Sequence, residues 1–398
     1  MSKVLLSQHG PFLKVAKLLQ AQNLGIEWLC LQPPMAKLLQ DIDIPAQPLA
    51  AFASPEDQGT AAIMAARTLV KVVMGEFPND KHVHPAVIRF LKENLGGYLY
   101  PRMMDLTLLV QTVDRLHPDL VLLHNDVEPL TRSVAAWARH AKVPCLHVPH
   151  AVYLDSPWVT APGTDVHDII TASHLCVAGP FQKEWYSTRL SEGQTLEIRE
   201  TGLPQFDPWV HLPTNRALAR QLLGLDANRP VVVYASSWRQ DTNLLGCHDG
   251  IEEAYTAFLN ACKLSPGIQP VVKLHPRATN GQAHVDLAQK MNIGCIITGQ
   301  HLEMCLHAAD VLISFGPSNI VLEAAIQGGL HLASIEGFPN DPEVTTLKPQ
   351  AQEITDYMQR IIGNVAPETH TLVAKYCGVR DGKATERVAA WIKELLQP

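Results

Sequence analysis

The chain has 398 residues, which is too long for one compact core and predicts two domains of about 200 residues each. Hydrophobic residues make up 46% of the sequence, and 39 acidic against 32 basic side chains give a net charge of -7. This balance disfavours general electrostatic binding to nucleic acid or anionic lipid, because a protein that binds either of them in this way needs an excess of positive charge. The eight cysteines show no CxxC spacing, which is typical of reduced thiols in a cytoplasmic protein.

No targeting or membrane-spanning segment is predicted. The N-terminal stretch MSKVLLSQHGPFLKV lacks the apolar core of a signal peptide. No window approaches the ~20 apolar residues of a membrane span. We therefore expect a cytoplasmic protein, with peripheral contact to a membrane left open.

The first half of the chain repeats a short apolar run, a polar turn and a helical pattern, which is typical of βαβ units. Helices are predicted near residues 12–22 and 131–142, and an apolar, helix-favouring insertion spans about 60–115. The insertion is interpreted either as a lid that faces a substrate or as additional core. The predicted strands are KVLLSQ (3–8), IEWLCLQ (26–32), DLVLLHN (119–125), VPCLHVP (143–149), HLCVAG (174–179) and the start of LEIRETGLPQFDPW (196–209).

The second half starts the same pattern again. Its strands are continuous runs of Val, Ile and Leu, which predicts a parallel sheet covered by helices on both faces. The predicted strands are RPVVVYASS (229–237), QPVVKLHP (269–276), GCIITGQ (294–300), DVLISFG (310–316) and LHLASI (330–335), with helices near 250–262, 281–291, 301–309 and 318–327.

The predicted fold class is therefore α/β, with two Rossmann-like, doubly wound domains that face each other across a cleft. We expect an N-terminal domain over residues 1–205, including the insertion, and a C-terminal domain over residues 206–382. A last helix is predicted over residues 383–398, and it is a candidate for return to the N-terminal domain. Its apolar face consists of Ala384, Val388, Trp391, Ile392 and Leu395.

The stretch SFGPSNIVLEAAIQGG, residues 314–329, predicts a strand end, a Gly-Pro turn and a helix. The first backbone N–H groups of a helix are unpaired and carry partial positive charge, so a helix starting at Ser318 or Asn319 is a candidate phosphate site. Glu323 lies one turn further on the same side and is a candidate acceptor for ribose hydroxyls. In the alternative interpretation Ser318 is only an N-cap and Glu323 only a solvated charge.

Two further strand ends of the second half carry candidate phosphate ligands. VVKLHPR places His275 and Arg277 at the carboxyl edge of the sheet, where both are candidates to neutralise a diphosphate. SSWR places Ser237 and Arg239 at the same edge, with weaker support. The alternative is an exposed strand end without a ligand.

In the first half, HNDVE and HVPHAVY follow successive strands. His150, Asp126 and Glu128 are therefore expected to converge at the floor of the cleft, where an imidazole or carboxylate can remove a proton from an acceptor hydroxyl. His9 follows the first strand and is a further candidate at this edge. The alternative is a packed or exposed histidine, because the chain has 18 of them.

Other chemistries have little support in the sequence. His301 and Cys305 share one face of a helix but supply too few ligands for a stable metal site. Asp41 and Asp43 resemble the metal-binding aspartates of another class of sugar transferase. No predicted phosphate-binding loop lies near them, so we interpret this similarity as chance. GxGxxG after the first strand, GxxxxGK[ST] and GxSxG are absent from the sequence, which disfavours dehydrogenases, P-loop NTPases and α/β-hydrolases.

Taken in order, these motifs resemble the GT-B superfamily, in the branch that contains UDP-N-acetylglucosamine 2-epimerases, CDP-glycerol glycerophosphotransferases and capsule-type glycosyltransferases. The resemblance covers roughly residues 115–390. PDLVLLHND and KVPCLHVPHA are similar to the strands on the N-terminal side of the cleft. VVVYASSWRQ, VVKLHPR and ADVLISFGPSNIVLEAAIQGG resemble the phosphate loop, the His-Pro strand end and the nucleotide-binding helix of the donor domain.

The resemblance implies an acceptor-side domain over 1–205 and a nucleotide-donor domain over 206–382. It implies that His275 and Arg277 approach the donor diphosphate, that the helix terminus at Ser318 and Asn319 caps the phosphates, and that Glu323 binds the ribose. His150 matches the acceptor-side histidine of related transferases, although Ala151 stands where they have glycine.

The resemblance thus predicts a glycosyltransferase that moves a sugar, or a polyol phosphate, from a nucleotide donor to a hydroxyl, with inversion and without a metal. An epimerase is the first alternative, but Pro149 and Trp238 stand where epimerases have a glutamate and a histidine. A non-catalytic nucleotide-sugar-binding protein is the second. No cofactor is expected; the donor is UDP- or CDP-linked, and the acceptor is a glycan, a lipid-linked molecule or a modified nucleobase, with nucleic acid disfavoured.

Overall fold

The structure of the protein is a computed structural model. It describes residues 1–74, 85–125, 128–152, 170–190, 195–211, 215–236, 251–275, 281–299, 301–316, 318–335, 338 and 341–397, with only the backbone for 68–74, 85–99 and 251. Every structural statement below concerns these residues.

The described chain contains two parallel β-sheets. The first has the strand order β3-β2-β1-β4-β5-β6-β7 and the second the order β10-β9-β8-β11-β12-β13. The strands are β1 Ser2–Leu6, β2 Ile26–Cys30, β3 Ala46–Pro48, β4 Leu120–Leu123, β5 Cys145–His147, β6 His174–Val177, β7 Glu197–Glu200, β8 Val231–Ala235, β9 Gln269–Lys273, β10 Ile296–Thr298, β11 Val311–Phe315, β12 His331–Ile335 and β13 Thr345–Leu347.

Helices connect the strands and pack on both faces of each sheet, so the predicted α/β fold with two doubly wound domains is confirmed. The described helices are α1 Pro11–Ala21, α2 Pro33–Gln40, α3 Pro55–Met74, α4 Pro85–Leu116, α5 Pro129–Ala141, α6 Pro180–Ser187, α7 Asp207–His211, α8 Arg216–Leu222, α9 Ile251–Leu264, α10 Gly281–Lys290, α11 Leu302–Ala308, α12 Asn319–Gln327, α13 Ala351–Ile361, α14 His370–Cys377 and α15 Ala384–Leu395. None of them is long and apolar enough to cross a membrane.

The central strands form because their apolar runs are buried on both sides. All residues of β4 and β8 are buried, as expected for parallel strands covered by helices. Proline begins several helices, among them α1, α5 and α6, where its missing N–H costs no intrahelical hydrogen bond.

Each sheet reverses its strand order beside its first strand. In the first sheet β1 lies between β2 and β4, and in the second β8 lies between β9 and β11. In open α/β sheets such a reversal is where ligands bind, in the crevice outside the carboxyl ends of the strands. This edge of each sheet is therefore where a ligand site is expected.

The insertion consists of helices α3 and α4, which pack against each other. The C-terminal part of α4 also packs on α5, and Leu109 and Val113 join a core cluster with Val121 of β4. This end of the insertion adds to the core of the N-terminal domain.

The C-terminal helix α15 returns to the N-terminal domain and packs on α1. Val388, Trp391 and Ile392 are buried in one cluster with Val4 of β1. Asp207 accepts hydrogen bonds from the N–H groups of Ala384 and Thr385, at 2.9 and 2.8 Å, and so caps the start of α15. The predicted return of the last helix is thus confirmed.

The returning chain passes very close to the first domain at Gly378. Its φ is +71°, and a Cβ there would lie 2.8 Å from the carbonyl oxygen of Ala178. We expect Gly378→Ala to lower the free energy of unfolding by about 2–4 kcal/mol, because backbone strain and a backbone clash add up. Urea denaturation measures this. Gly363→Ala is the control, since Gly363 has φ +90° with no described atom within 4 Å of a Cβ, and should cost only about 1–2 kcal/mol. Equal losses would contradict the close approach.

Candidate active site

The candidate donor site lies at the carboxyl ends of β8, β9 and β11. After β11 the chain turns at Gly316, whose φ of +68° favours glycine, and Ser318 follows in an extended conformation as the N-cap of α12. The Ser318 side chain makes no capping hydrogen bond to the described helix. The first turn of α12 therefore keeps N–H groups that an anion can use.

Asn319, the first residue of α12, connects the two domains. Its Oδ1 accepts a hydrogen bond from the backbone N–H of Val152 at 2.7 Å, and its Nδ2 donates to the carbonyl oxygen of Val152 at 3.2 Å. The side-chain amide is therefore engaged with the N-terminal domain. At this residue the backbone N–H is the group that remains for a phosphate.

Glu323 lies one turn into α12 and is half-buried. Burial, reinforced by the negative charge of Glu303, raises the pKa of its carboxyl group to about 8, although Lys273 opposes the shift. A fully solvated charge, the alternative interpretation, does not describe this environment. The carboxyl group exchanges its proton close to neutral pH, where a ligand that donates hydrogen bonds can bias it.

Lys273, which the sequence analysis did not single out, is buried at the end of β9. Its Nζ donates to the carbonyl oxygens of Leu274 and Gly299, at 2.6 and 3.1 Å. Burial lowers the pKa of the ammonium group, while Cys305, Glu323 and Glu303 act in the opposite direction. A lysine at the end of an otherwise apolar strand was the signal that could have revealed it.

Hydrogen bonds of Ser236 join the ends of strands β8 and β9 at the same edge. Ser236 N–H donates to the Lys273 carbonyl at 3.0 Å, and its hydroxyl accepts from the N–H of His275 at 3.1 Å. His275 is half-buried beside β8 as predicted from the strand end. Its predicted companions Ser237, Arg239 and Arg277 lie outside the described residues.

The candidate acceptor side is a cluster of four histidines at the carboxyl ends of β1, β4 and β5. The ring of His124 stacks on His9 with centroids 5.5 Å apart and meets His150 edge-on at 5.7 Å. The carbonyl oxygen of His124 lies 3.2 Å from Nε2 of His147 and 3.4 Å from Nδ1 of His150. The structure thus brings the predicted His9 and His150 together, with His124 and His147 added.

A hydrogen-bond network orients the ring of His124. Asn125 Oδ1 accepts from the N–H of Glu128 at 3.2 Å and from the hydroxyl of Thr131 at 3.0 Å, which turns its amide nitrogen toward Nε2 of His124 at 2.9 Å. Nδ1 of His124 then donates to the hydroxyl of Ser7 at 2.7 Å. These contacts hold the ring of His124 in a fixed orientation at the centre of the cluster.

His9 and His150 differ in their surroundings. Burial, with repulsion from His124, His150 and His147, lowers the pKa of His9 to about 3, and its buried Nε2 has no hydrogen-bond partner among the described residues. The side chain of His150 is exposed at the edge of the cluster. Glu128 is exposed at the N-cap of α5, and the predicted Asp126 lies outside the described residues.

The described residues contain no group of three or more His, Cys, Asp or Glu side chains that could hold a metal ion. Cys305 is buried in α11, and His301 precedes that helix in a left-handed conformation. The predicted metal-free chemistry remains a prediction.

Comparison with known proteins identifies a matching family model and structures of similar fold. A family model described as CDP-glycerol:poly(glycerophosphate) glycerophosphotransferase matches residues 165–314. No curated protein matches the sequence.

Three solved structures illustrate the fold. A UDP-N-acetylglucosamine 2-epimerase from Neisseria meningitidis, bound to UDP-N-acetylglucosamine, is similar with 14% identity and a TM-score of 0.56, covering 100% of this chain and 99% of the other. A glycosyltransferase from Rickettsia africae has 14% identity and a TM-score of 0.55, over 100% and 99%. Anabaena HepE, in complex with UDP-glucose, has 12% identity and a TM-score of 0.57, over 99% and 100%.

Identities this low establish the fold alone. The chain therefore has the GT-B fold, and its segment 165–314 matches the CDP-glycerol glycerophosphotransferase family model, in the branch that the order of the sequence motifs predicted.

Proposed function

We propose that the protein is an inverting, metal-independent transferase that moves a sugar, or a polyol phosphate, from a UDP- or CDP-linked donor to an acceptor hydroxyl. The observation that carries the proposal is the contact between Asn319 and Val152, because it brings the uncapped start of α12 close to the segment that carries His150. A phosphate-binding helix terminus and a proton-accepting imidazole are the two groups that such a transfer needs.

On the donor side, the backbone N–H groups at the start of α12 and the half-buried His275 would stabilise the charge that develops on the leaving nucleotide. The predicted Arg277, Ser237 and Arg239 would add to this stabilisation. Glu323 would accept hydrogen bonds from the ribose hydroxyls. A nucleotide-linked donor is supported by the family match over residues 165–314 and by the similar fold of HepE and the Neisseria epimerase, whose structures contain UDP-sugars.

On the acceptor side, His150 would remove the proton of the acceptor hydroxyl. The oxygen of this hydroxyl would then bond to the transferred sugar carbon or phosphorus atom, as the bond from that atom to the leaving nucleotide breaks. A sugar transfer releases the nucleoside diphosphate, and a polyol-phosphate transfer releases the nucleoside monophosphate. The acceptor hydroxyl would belong to a glycan, a lipid-linked molecule or, less favoured by the acidic chain, a modified nucleobase.

A nucleotide screen tests the proposal. The thermal unfolding of the protein is followed with UDP-, CDP-, GDP- and dTDP-linked donors, since a ligand that binds only the folded state raises the melting temperature. We expect UDP- or CDP-linked donors to raise it by several degrees when present at about 100 times Kd. No shift with any nucleotide would remove the basis of the proposal.

The epimerase alternative is separated by its product. The protein is incubated with UDP-N-acetylglucosamine without an acceptor, and the sugar nucleotide is analysed by NMR. We expect the gluco configuration to persist. Appearance of the manno epimer, or rapid release of free UDP from an epimerase that hydrolyses its substrate, would favour an epimerase over the proposed transferase.

A further inference from the structure

The segment of residues 149–152 is held from both domains. On the side of the N-terminal domain, the N–H of His150 donates to the carbonyl oxygen of His124 at 3.3 Å. In the connection between the domains, Nε2 of Gln205 donates to the carbonyl oxygen of Pro149 at 3.3 Å. On the donor side, Asn319 makes both hydrogen bonds to Val152.

Packing supports the same arrangement independently of these hydrogen bonds. The side chain of Val152 is only 2% exposed and belongs to the core cluster of the donor domain, together with Ile320 and Val321 of α12. A residue of the N-terminal domain is thus anchored in the donor domain. His150 lies two residues before this anchor.

Asparagine suits this position for a chemical reason. Its amide presents an acceptor and a donor side by side, so one side chain can satisfy both backbone groups of Val152. An aspartate would repel the carbonyl oxygen, and a serine has a shorter side chain whose single oxygen must serve as both donor and acceptor. The backbone N–H of the same residue belongs to the first turn of α12, where a phosphate can bind.

We propose that Asn319 is a positioning residue that sets the place of His150 relative to the phosphates of the donor. Its backbone meets the leaving nucleotide, and its side chain holds the segment that presents the base to the acceptor. This inference rests on the proposed transfer reaction. In this inference the side chain of Asn319 positions the base that acts on the acceptor, while the backbone N–H groups of the helix terminus bind the phosphates of the donor.

The inference predicts a split between binding and turnover. In Asn319→Ala the backbone N–H groups remain, so the Kd for UDP and CDP should change less than about threefold. Turnover should fall by about 10–100-fold, because a small displacement of a catalytic group is costly to rate. Asn364→Ala is the matched control, since the Asn364 amide also donates to a backbone carbonyl, that of Arg360, but lies beyond α13 near the amino end of β12.

A double-mutant cycle separates positioning from a merely structural role. Nucleotide release from UDP-glucose, UDP-N-acetylglucosamine and CDP-glycerol is measured with glycerol as the acceptor hydroxyl, for the wild type, Asn319→Ala, His150→Ala and the double variant. If Asn319 acts through His150, its replacement should add little in the His150→Ala background. Additive losses, or a wild-type rate in Asn319→Ala, would overturn the inference alone. No release by the wild type from any of the donors would overturn the proposed function, and the inference with it.

Discussion

Replacing His150 by alanine is expected to lower nucleotide release by about 10²–10⁴-fold, the usual contribution of a positioned general base. The donor should bind with unchanged Kd, because His150 belongs to the histidine cluster proposed for the acceptor, with its ring 5.7 Å from that of His124. The two quantities are measured by coupled nucleotide release and by isothermal titration. His140→Ala is a suitable control, since His140 is an exposed histidine in the last turn of α5.

His9 belongs to the same histidine cluster, but we expect its replacement to have a smaller effect on turnover. A pKa lowered to about 3 makes its neutral form a weak base at neutral pH, so the cluster favours the exposed His150 for proton removal. We therefore expect His9→Ala to reduce turnover less than His150→Ala. The reverse order would show that the base assignment is wrong, while leaving the donor site untouched.

Glu323→Gln is expected to make the protein more stable than the wild type at alkaline pH. The folded-state pKa of Glu323 is raised to about 8 by burial, so between the unfolded value near 4.5 and pH 8 the folded chain holds a proton that the unfolded chain has lost. Wild-type stability therefore falls as the pH rises through this window. The amide introduced by the substitution cannot ionise, and we expect it to remove a penalty of about 2 kcal/mol at pH 8–9, with little difference near pH 5. Urea denaturation of both proteins across this pH range measures the difference, and parallel pH profiles would contradict the raised pKa.

Donor binding should respond to the same carboxyl group. Ribose hydroxyls that donate to Glu323 favour its ionised form, so nucleotide binding should release a proton at pH 7 and tighten from pH 6 to pH 8. Titration calorimetry in buffers of different ionisation enthalpy measures the released proton. Glu303→Gln is a useful companion, because removing this charge should lower the pKa of Glu323 and shift the pH dependence downward. A pH-independent affinity in the wild type would contradict the ribose assignment.

Much of the fold could be predicted because parallel strands and amphipathic helices leave a strong pattern. The run VVVYA became the fully buried β8, and the predicted helix near 318–327 became α12. The short edge strands β3 and β13 were missed, since three residues with partly exposed side chains carry no periodic signal. Several observed strands also end one to three residues before the predicted end.

The candidate site was predictable only in part, for physical reasons that differ between residues. Strand ends point to one edge in any parallel sheet, which is why His9, His150 and His275 could be placed there from the sequence. The pairing of Asn319 with Val152 joins positions 167 residues apart and depends on how the domains pack. The orientation of the His124 ring likewise depends on Asn125 and Thr131, whose hydrogen bonds no local pattern reveals.

The most direct test of the account is a crystal structure of the protein with bound UDP or CDP. We predict that the phosphates lie within hydrogen-bonding distance of the backbone N–H groups at the start of α12. The ribose hydroxyls should donate hydrogen bonds to Glu323, and the terminal β-phosphate should face His150. A nucleotide bound away from α12, with Ser318 and Asn319 in contact only with the protein, would contradict the central claim.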